Sequence, residues 1–411
     1  MAGRLFEDCR GPQAMFTLAS GLGDAGKSRN ALHVLTLTPF YPHAQYDAGG
    51  CFVAEPLQAF AGMGLKSSVI AVQPTYRPAV TPSATVPSAI WVRYPALPSN
   101  FGLSSSGYFL FARLLPHLRR MHSSDPIDLI HAHAALPCGH AAALLGRELK
   151  IPFVVTVHGL DAFSTNQARG MPGRWCQRVS RMVYREARQV ICISEKVRDQ
   201  VIQGASGAVH TTVVYNGADP LRFFPPKDPK ESHIVLSVGT LIPIKGHDQL
   251  LRALSRIRRD DPRVSCQIIG EGPERHRLEA LVHALKLTGH VRFLRRQNRS
   301  QTAEAMRQCS VFALPSHYEG LGCVYLEAMA CERAVIACRG QGIEEVIEHG
   351  ANGWLVEPND QDGLAEALSF LLGNLELRRQ LGTAARRTIL RGFTLAHQSA
   401  RLAQLYRESA A

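Results

Sequence analysis

Short, continuously apolar runs rich in β-branched residues alternate with longer stretches of helical periodicity along most of the chain. The runs Leu32–Thr38, Ser67–Gln73, Ala89–Tyr94, Asp128–His131, Pro152–His158, Gln189–Ser194 and Thr211–Tyr215 predict strands. Several are apolar at successive positions, as parallel strands covered on both faces are. Phe52–Met63 and Gly139–Lys150 carry helical patterns between them. Alternating β and α units imply a doubly wound sheet.

Residues 217–232 hold Pro220, Pro225, Pro226 and Pro229 and little periodicity, and read as a linker. The alternation then restarts with strands Ile234–Val238, Ser265–Ile269, Val291–Leu294, Val311–Leu314 and Ala334–Cys338. Helical segments Asp248–Arg258, Glu274–Leu285, Gln301–Cys309 and Val324–Ala330 separate them, and a helical tail follows. The expected plan is a leader over 1–30, a Rossmann-like domain over 31–216 and the linker over 217–232. A second Rossmann-like domain follows over 233–391, and a tail over 392–411 packs back on the first domain. The cleft between two such domains is the expected ligand site. Segment Pro74–Pro98, with six prolines, is expected to be a surface excursion around a strand.

Composition narrows the class. Hydrophobic residues make up 45% and charged residues 19%, which excludes a disordered or coiled-coil chain. No apolar run reaches the length of a spanning helix, and Met15–Ala19 is too short for a signal peptide. A net charge of +12 favours anionic partners. The ten cysteines form no C-x-x-C pair, so reduced, buried thiols in a cytoplasmic protein are expected.

Gly21–Ser28 spells G-x-x-x-x-G-K-S. A phosphate-binding loop of that form needs a strand before it and a helix after it. Here a strand pattern, Leu32–Thr38, follows instead, so the octet reads as part of the leader; a nucleotide switch acting through Lys27 is the alternative.

The chemistry gathers at strand ends. Pro315–Ala330 combines a strand end, a polar loop with Gly320 and Gly322, and a helix, with Glu319 and Glu327 eight positions apart. Glycines allow close backbone approach, and the amides that open a helix favour an anion. Leu236–Leu250 repeats the theme with Gly239, Lys245 and Gly246, and Ile268–Arg275 with Gly270 and Gly272. In the first half, Val154–Asp161 sets His158 and Asp161 just past a strand, and Pro39–Gly50 ends on Gly49 and Gly50.

These five segments, in this order, resemble the retaining glycosyltransferases of family 4, from about Leu32 to the C-terminus. The resemblance implies the GT-B architecture, two Rossmann-like doubly wound domains facing across a cleft. It also implies a hexosyltransferase-type enzyme that moves a sugar from a nucleotide-sugar donor, expected to be UDP-linked, to a glycan or lipid-linked glycan. Retention of anomeric configuration and a place in cell-surface or exopolysaccharide biosynthesis come with it. Carried over by position, Lys245 matches the lysine that holds the donor diphosphate, and Glu319 the acid beside the transferred sugar. His158 matches the histidine at the sugar's edge near the acceptor. Glu327 matches the carboxylate on the ribose, and Gly320, Leu321 and Gly322 the amides near sugar and phosphate. Gly272 belongs to the donor turn, Arg296 and Gln297 to the base-binding turn. Gly49, Gly50 and Asp161 belong to the acceptor and diphosphate loops. Thr240 stands where the family usually has an arginine, which removes a bidentate phosphate partner. No metal and no cofactor are expected, since a lysine and amides do this work in the family. A GT-B sugar phosphorylase or epimerase is the nearest alternative.

His131 and His133 flank Ala132, and with no evident third ligand they read as hydrogen-bonded histidines near the cleft floor. Arg174, Arg178, Arg181, Arg185 and Arg188 recur on one helical face. A solvated face and docking to the anionic inner face of the cytoplasmic membrane are both open, and nucleic acid is not expected.

Overall fold

The computed structural model describes residues 31–44, 47–84, 86–162, 170–228 and 232–411, so the octet Gly21–Ser28 and its leader lie outside the described residues. The first lobe begins with β1 (Leu32–Thr38), α1 (Cys51–Phe60), β2 (Leu65–Pro74), β3 (Ile90–Tyr94) and α2 (Ser99–Ser124). It continues with β4 (Leu129–His133), α3 (His140–Leu149), β5 (Phe153–Val157), α4 (Gly170–Glu186), β6 (Val190–Cys192), α5 (Glu195–Ala205) and β7 (Thr211–Val213). The strands pair in parallel in the order β3-β2-β1-β4-β5-β6-β7. Every residue of β1 after Leu32 is buried, which explains why its sequence does not alternate. Its buried His33 is paid for locally by Ser68 Oγ at 2.8 Å and the Pro126 carbonyl at 3.0 Å.

The second lobe runs β8 (Ile234–Val238), α6 (His247–Ile257), β9 (Ser265–Ile269), α7 (Arg275–Ala284), β10 (Val291–Arg295) and α8 (Arg299–Gln308). Then come β11 (Val311–Ala313), α9 (Cys323–Ala330), β12 (Ala334–Cys338), β13 (Trp354–Val356), α10 (Gln361–Gly373) and α11 (Leu375–Gly392). Its order, β10-β9-β8-β11-β12-β13, is again wholly parallel. In both sheets the strand order therefore reverses beside the first strand, at β1/β4 and β8/β11, where a crevice opens at the strands' C-terminal ends.

The last helix, α12 (Leu395–Ala410), packs on α1 of the first lobe. Its Leu402, Ala403, Leu405 and Tyr406 join the core face made by Val34, Val53, Phe60 and Val69. The connecting stretch is held there too: the Ala218 amide donates to the Phe393 carbonyl, and the Leu395 amide to that of Ala218. Residues 32–411 make one body by their contacts.

Two elements do not follow from the pattern. α2 opens with Ser99, Ser104, Ser105, Ser106 and Gly107, too polar to display a stripe, yet Leu110, Leu114 and Leu118 are wholly buried along one face. β13 is a three-residue edge strand, too short to carry a period.

Candidate active site

The segments singled out by residue type all lie past strand ends around the two reversal points. After β8 the chain makes a short turn, Pro243–Lys245, and enters α6 through Gly246. After β11 it runs through Tyr318–Gly322 into α9. Lys245 Nζ donates to Glu319 Oε2 at 2.5 Å, with the two side chains 19% and 14% exposed, so one mobile charge from each loop meets inside the crevice. Gly246 has φ +68 and the site of a Cβ there is 2.1 Å from the Pro315 carbonyl oxygen; only glycine lets the two loops lie backbone to backbone.

Three helices around the crevice begin at a left-handed glycine with no side-chain cap: α1 at Gly50, α6 at Gly246 and α9 at Gly322. Their first amides are therefore not taken by a capping side chain, and each helix adds the positive end of its dipole. Leu321 is fully buried. Gly49 is half-buried one residue before α1's glycine. In the second lobe Gly272 is pressed against the Leu241 backbone, and Thr240 is exposed. Arg296 and Gln297 sit on the turn between β10 and α8, where Gln297 Nε2 donates to the Leu294 carbonyl.

His158 follows β5 and reaches the second lobe through its backbone: a Cβ on Gly320 would stand 2.7 Å from the His158 carbonyl oxygen. Its ring packs on Phe52 at 4.7 Å, and its Nε2 shares a hydrogen with His133 Nδ1 at 3.0 Å. His131 in turn bonds Tyr406 Oη at 2.6 Å and Thr156 Oγ1 at 2.7 Å. Burial drives His158 and His131 down to about 3, and His133 well below its ordinary value, so the three stand neutral. They line a cavity of about 20 Å³, room for a single water. Among the described residues no three His, Cys, Asp or Glu side chains converge as a metal site requires.

Asp161 accepts the His158 amide through Oδ1 at 2.8 Å, and burial pushes its carboxyl up to about 7. Its Oδ2, His158 Nδ1 and Glu327 Oε2 are buried with no partner among the described residues. Glu327, on α9, is 2% exposed; its Oε1 takes a hydrogen from Arg299 Nη1 at 2.5 Å. Burial raises its carboxyl while Arg299 draws it back down.

The geometry adds residues that residue type alone did not reveal. Gln341 Oε1 accepts the Glu319 amide at 2.9 Å and Lys196 Nζ at 3.0 Å, tying α5 of the first lobe to the Glu319 loop. Ser194 Oγ caps α5 and donates to the Gly320 carbonyl at 2.6 Å. The Glu345 carboxylate accepts the amides of Glu195 and Lys196, each at 2.8 Å. Arg299 and Glu55 also belong here. The one available signal was a glutamate inside the apolar helix Cys51–Phe60.

The arginine face divides. Arg181 Nε donates to the Gly204 carbonyl, and Arg185 Nη2 to those of Ala205 and Ser206, so both close the end of α5. Arg174 and Arg178 stay exposed beside Met171, 82% exposed, and Trp175, 54% exposed; Arg188 lies past the helix end.

Two family profiles match adjoining stretches of the chain. The one described as Glycosyltransferase Family 4 covers residues 52–222, and the one described as Glycosyl transferases group 1 covers 220–388. An uncharacterized glycosyltransferase of Methanocaldococcus jannaschii is 34% identical over 63% of this chain and 69% of that relative. The alpha-maltose-1-phosphate synthase of Mycolicibacterium smegmatis is 30% identical over 72% of this chain and 82% of that relative. Among solved structures, the sucrose-phosphate synthase from Thermosynechococcus elongatus matches with a TM-score of 0.75 at 23% identity, covering 92% of this chain and 98% of that one. HepE of Anabaena in complex with UDP-glucose matches at 0.73 and 20%, covering 92% of this chain and 100% of that one. At these identities the solved structures carry the fold alone.

Proposed function

Since the chain belongs to the group 1 glycosyl transferases of family 4, we propose that it moves a sugar from a UDP-linked donor to a glycan or lipid-linked glycan with retention of anomeric configuration. That it is a glycosyltransferase with the GT-B fold follows from the family and the two facing sheets. The observation that carries the finer reading is the Lys245–Glu319 pair, set between the glycine-started helices α6 and α9.

Glycosyl transfer separates a nucleoside diphosphate from an anomeric carbon that gains positive charge. Lys245 turns from Glu319 to the diphosphate as the donor arrives, and the amides at Gly320–Gly322 add fixed donors to the departing phosphate. Glu319, released from its lysine, lies beside the sugar and accepts from its hydroxyls. The free Oε2 of Glu327 takes a ribose hydroxyl, which satisfies an otherwise orphaned buried acceptor. Neutral His158 offers a hydrogen-bonding edge toward the acceptor without placing a second cation beside the developing one. Ammonium and amides carry the leaving charge, so the reaction runs without a metal or cofactor. Presentation of a lipid-linked acceptor at an anionic membrane, in cell-surface polysaccharide synthesis, is supported by exposed Met171 and Trp175 beside exposed Arg174 and Arg178 on one helix. No helix among the described residues is long and apolar enough to cross a membrane.

The test is a thermal-shift screen of UDP, GDP and ADP, followed by product analysis with the matching sugars and a glycan panel. UDP should give the largest rise in melting temperature, and Glu319→Ala should cut kcat/KM by about a hundredfold or more while keeping UDP bound. A larger rise with GDP would reassign the base, and no transfer from any donor would overturn the reading.

A further inference from the structure

One set of buried charges links the donor pocket to the opposite lobe. Arg299 is the first residue of α8, in the second lobe, and only 8% exposed. Its Nε and Nη2 grip both oxygens of Glu55, on α1 of the first lobe, at 3.0 and 2.9 Å. Its Nη1 holds Glu327 Oε1, and its backbone amide donates to Asp47 Oδ2 at 3.3 Å, in the loop that carries Gly49 and Gly50. The guanidinium also lies over the ring of Phe223, 4.8 Å away, in the connecting stretch. Arg222 of that stretch donates to Glu55 Oε1 at 2.7 Å, so two cations balance two carboxylates.

A buried ion cluster of this kind adds little net stability, because desolvation consumes most of the attraction. What it supplies is geometry. A bidentate guanidinium fixes the plane of the carboxylate it forks, here Glu55. Here it fixes one oxygen of Glu327 and leaves the other, Oε2, buried and unpartnered. The same guanidinium keeps both grips only while α1 lies against α8, that is, while the lobes are closed. If closure orders Glu327 for its ligand, then by linkage the ligand favours closure equally.

We propose that Arg299 is a positioning residue that couples occupation of Glu327 by the donor ribose to closure of the two lobes, through Glu55. The inference rests on the reading of Glu327 as the ribose acceptor. It makes Glu55, a residue of the acceptor lobe, a determinant of how well the protein distinguishes a ribonucleotide from its deoxy counterpart.

The experiment is titration calorimetry of the full chain with UDP and with 2′-deoxy-UDP, for wild type, Glu55→Gln, Arg299→Gln, Arg299→Lys and Glu327→Gln. Wild type should prefer UDP by about ten- to a hundredfold, the effect of one hydrogen bond to a charged group. Glu327→Gln should abolish most of that preference. Glu55→Gln and Arg299→Gln should each reduce it at least threefold, and Arg299→Lys should not restore it. A preference unchanged in Glu55→Gln and Arg299→Gln, with only the melting temperature lowered, overturns the coupling and leaves a structural ion cluster. A wild type without the preference, or a Glu327→Gln variant that keeps it, overturns the ribose reading first, and the coupling with it. Should Arg299→Gln fail to fold, Glu55→Gln decides alone.

Discussion

Three helices around the crevice and three at the molecule's periphery begin in opposite ways. α10, α11 and α12 each start with a side chain that accepts a first-turn amide: Asp360, Asn374 and Thr394. α1, α6 and α9 start at Gly50, Gly246 and Gly322 and have no such cap. Side-chain oxygens stay equally unspent at the crevice, on Asp161 and Glu327. Other helices at the crevice are capped, α5 by Ser194 and α8 by Asn298, so what is left open to a ligand there is confined to the three glycine starts and these two carboxylates.

The strongest way to break this contrast is to put a side chain at a crevice helix start. Gly246→Ala forces a Cβ to within 2.1 Å of the Pro315 carbonyl at a left-handed φ, which should cost roughly 2–5 kcal/mol. Thermal melts should show the loss, and steady-state assays a fall in kcat/KM of more than about a thousandfold, as loop and lysine are both displaced. Lys245→Ala leaves the amides in place and removes the ammonium: kcat/KM should fall by about a hundred- to a thousandfold with the melting temperature nearly constant. A comparable drop in melting temperature would mean that the Lys245–Glu319 pair is structural.

Asp161→Asn sharpens the contrast through pH. The carboxyl titrates near 7 when folded and near 3.8 otherwise, so the folded chain binds more protons between those values. Its stabilising contribution is complete below about 3.8 and is lost as pH rises through about 7. The amide keeps an oxygen for the His158 amide without titrating, so the variant's melting temperature should gain on wild type from pH 4 to 7 and stay level above. The smallest effect belongs to the periphery: Asn374→Ala removes the acceptor of the Leu377 amide and should cost about 1 kcal/mol in denaturant melts. Its kcat/KM should match wild type.

Strand positions and the crevice were legible because parallel, doubly covered strands leave apolar runs and because glycine, lysine and glutamate at strand ends have few structural uses together. All seven strands of the first lobe lie where their runs predict, within three residues at each end. α2 was illegible, since Ser104 and Ser106 near its start are buried against neighbours instead of facing water. The arginine spacing was legible, but its partners were not: Arg181 and Arg185 act on carbonyls of a helix some twenty residues further along. Glu55 and Arg299 stand 244 positions apart, and nothing local to either encodes their meeting. Contacts made across a cleft leave no period in the sequence.

The return of α12 to the first lobe has a consequence for synthesis. His131 waits for Tyr406, which lies 275 positions further along the chain. At ordinary elongation rates that is a delay on the order of tens of seconds. Until then Val34, Val53, Phe60 and Val69 lack the part of their packing that Leu402, Ala403, Leu405 and Tyr406 supply, so the nascent first lobe keeps an apolar patch open to water.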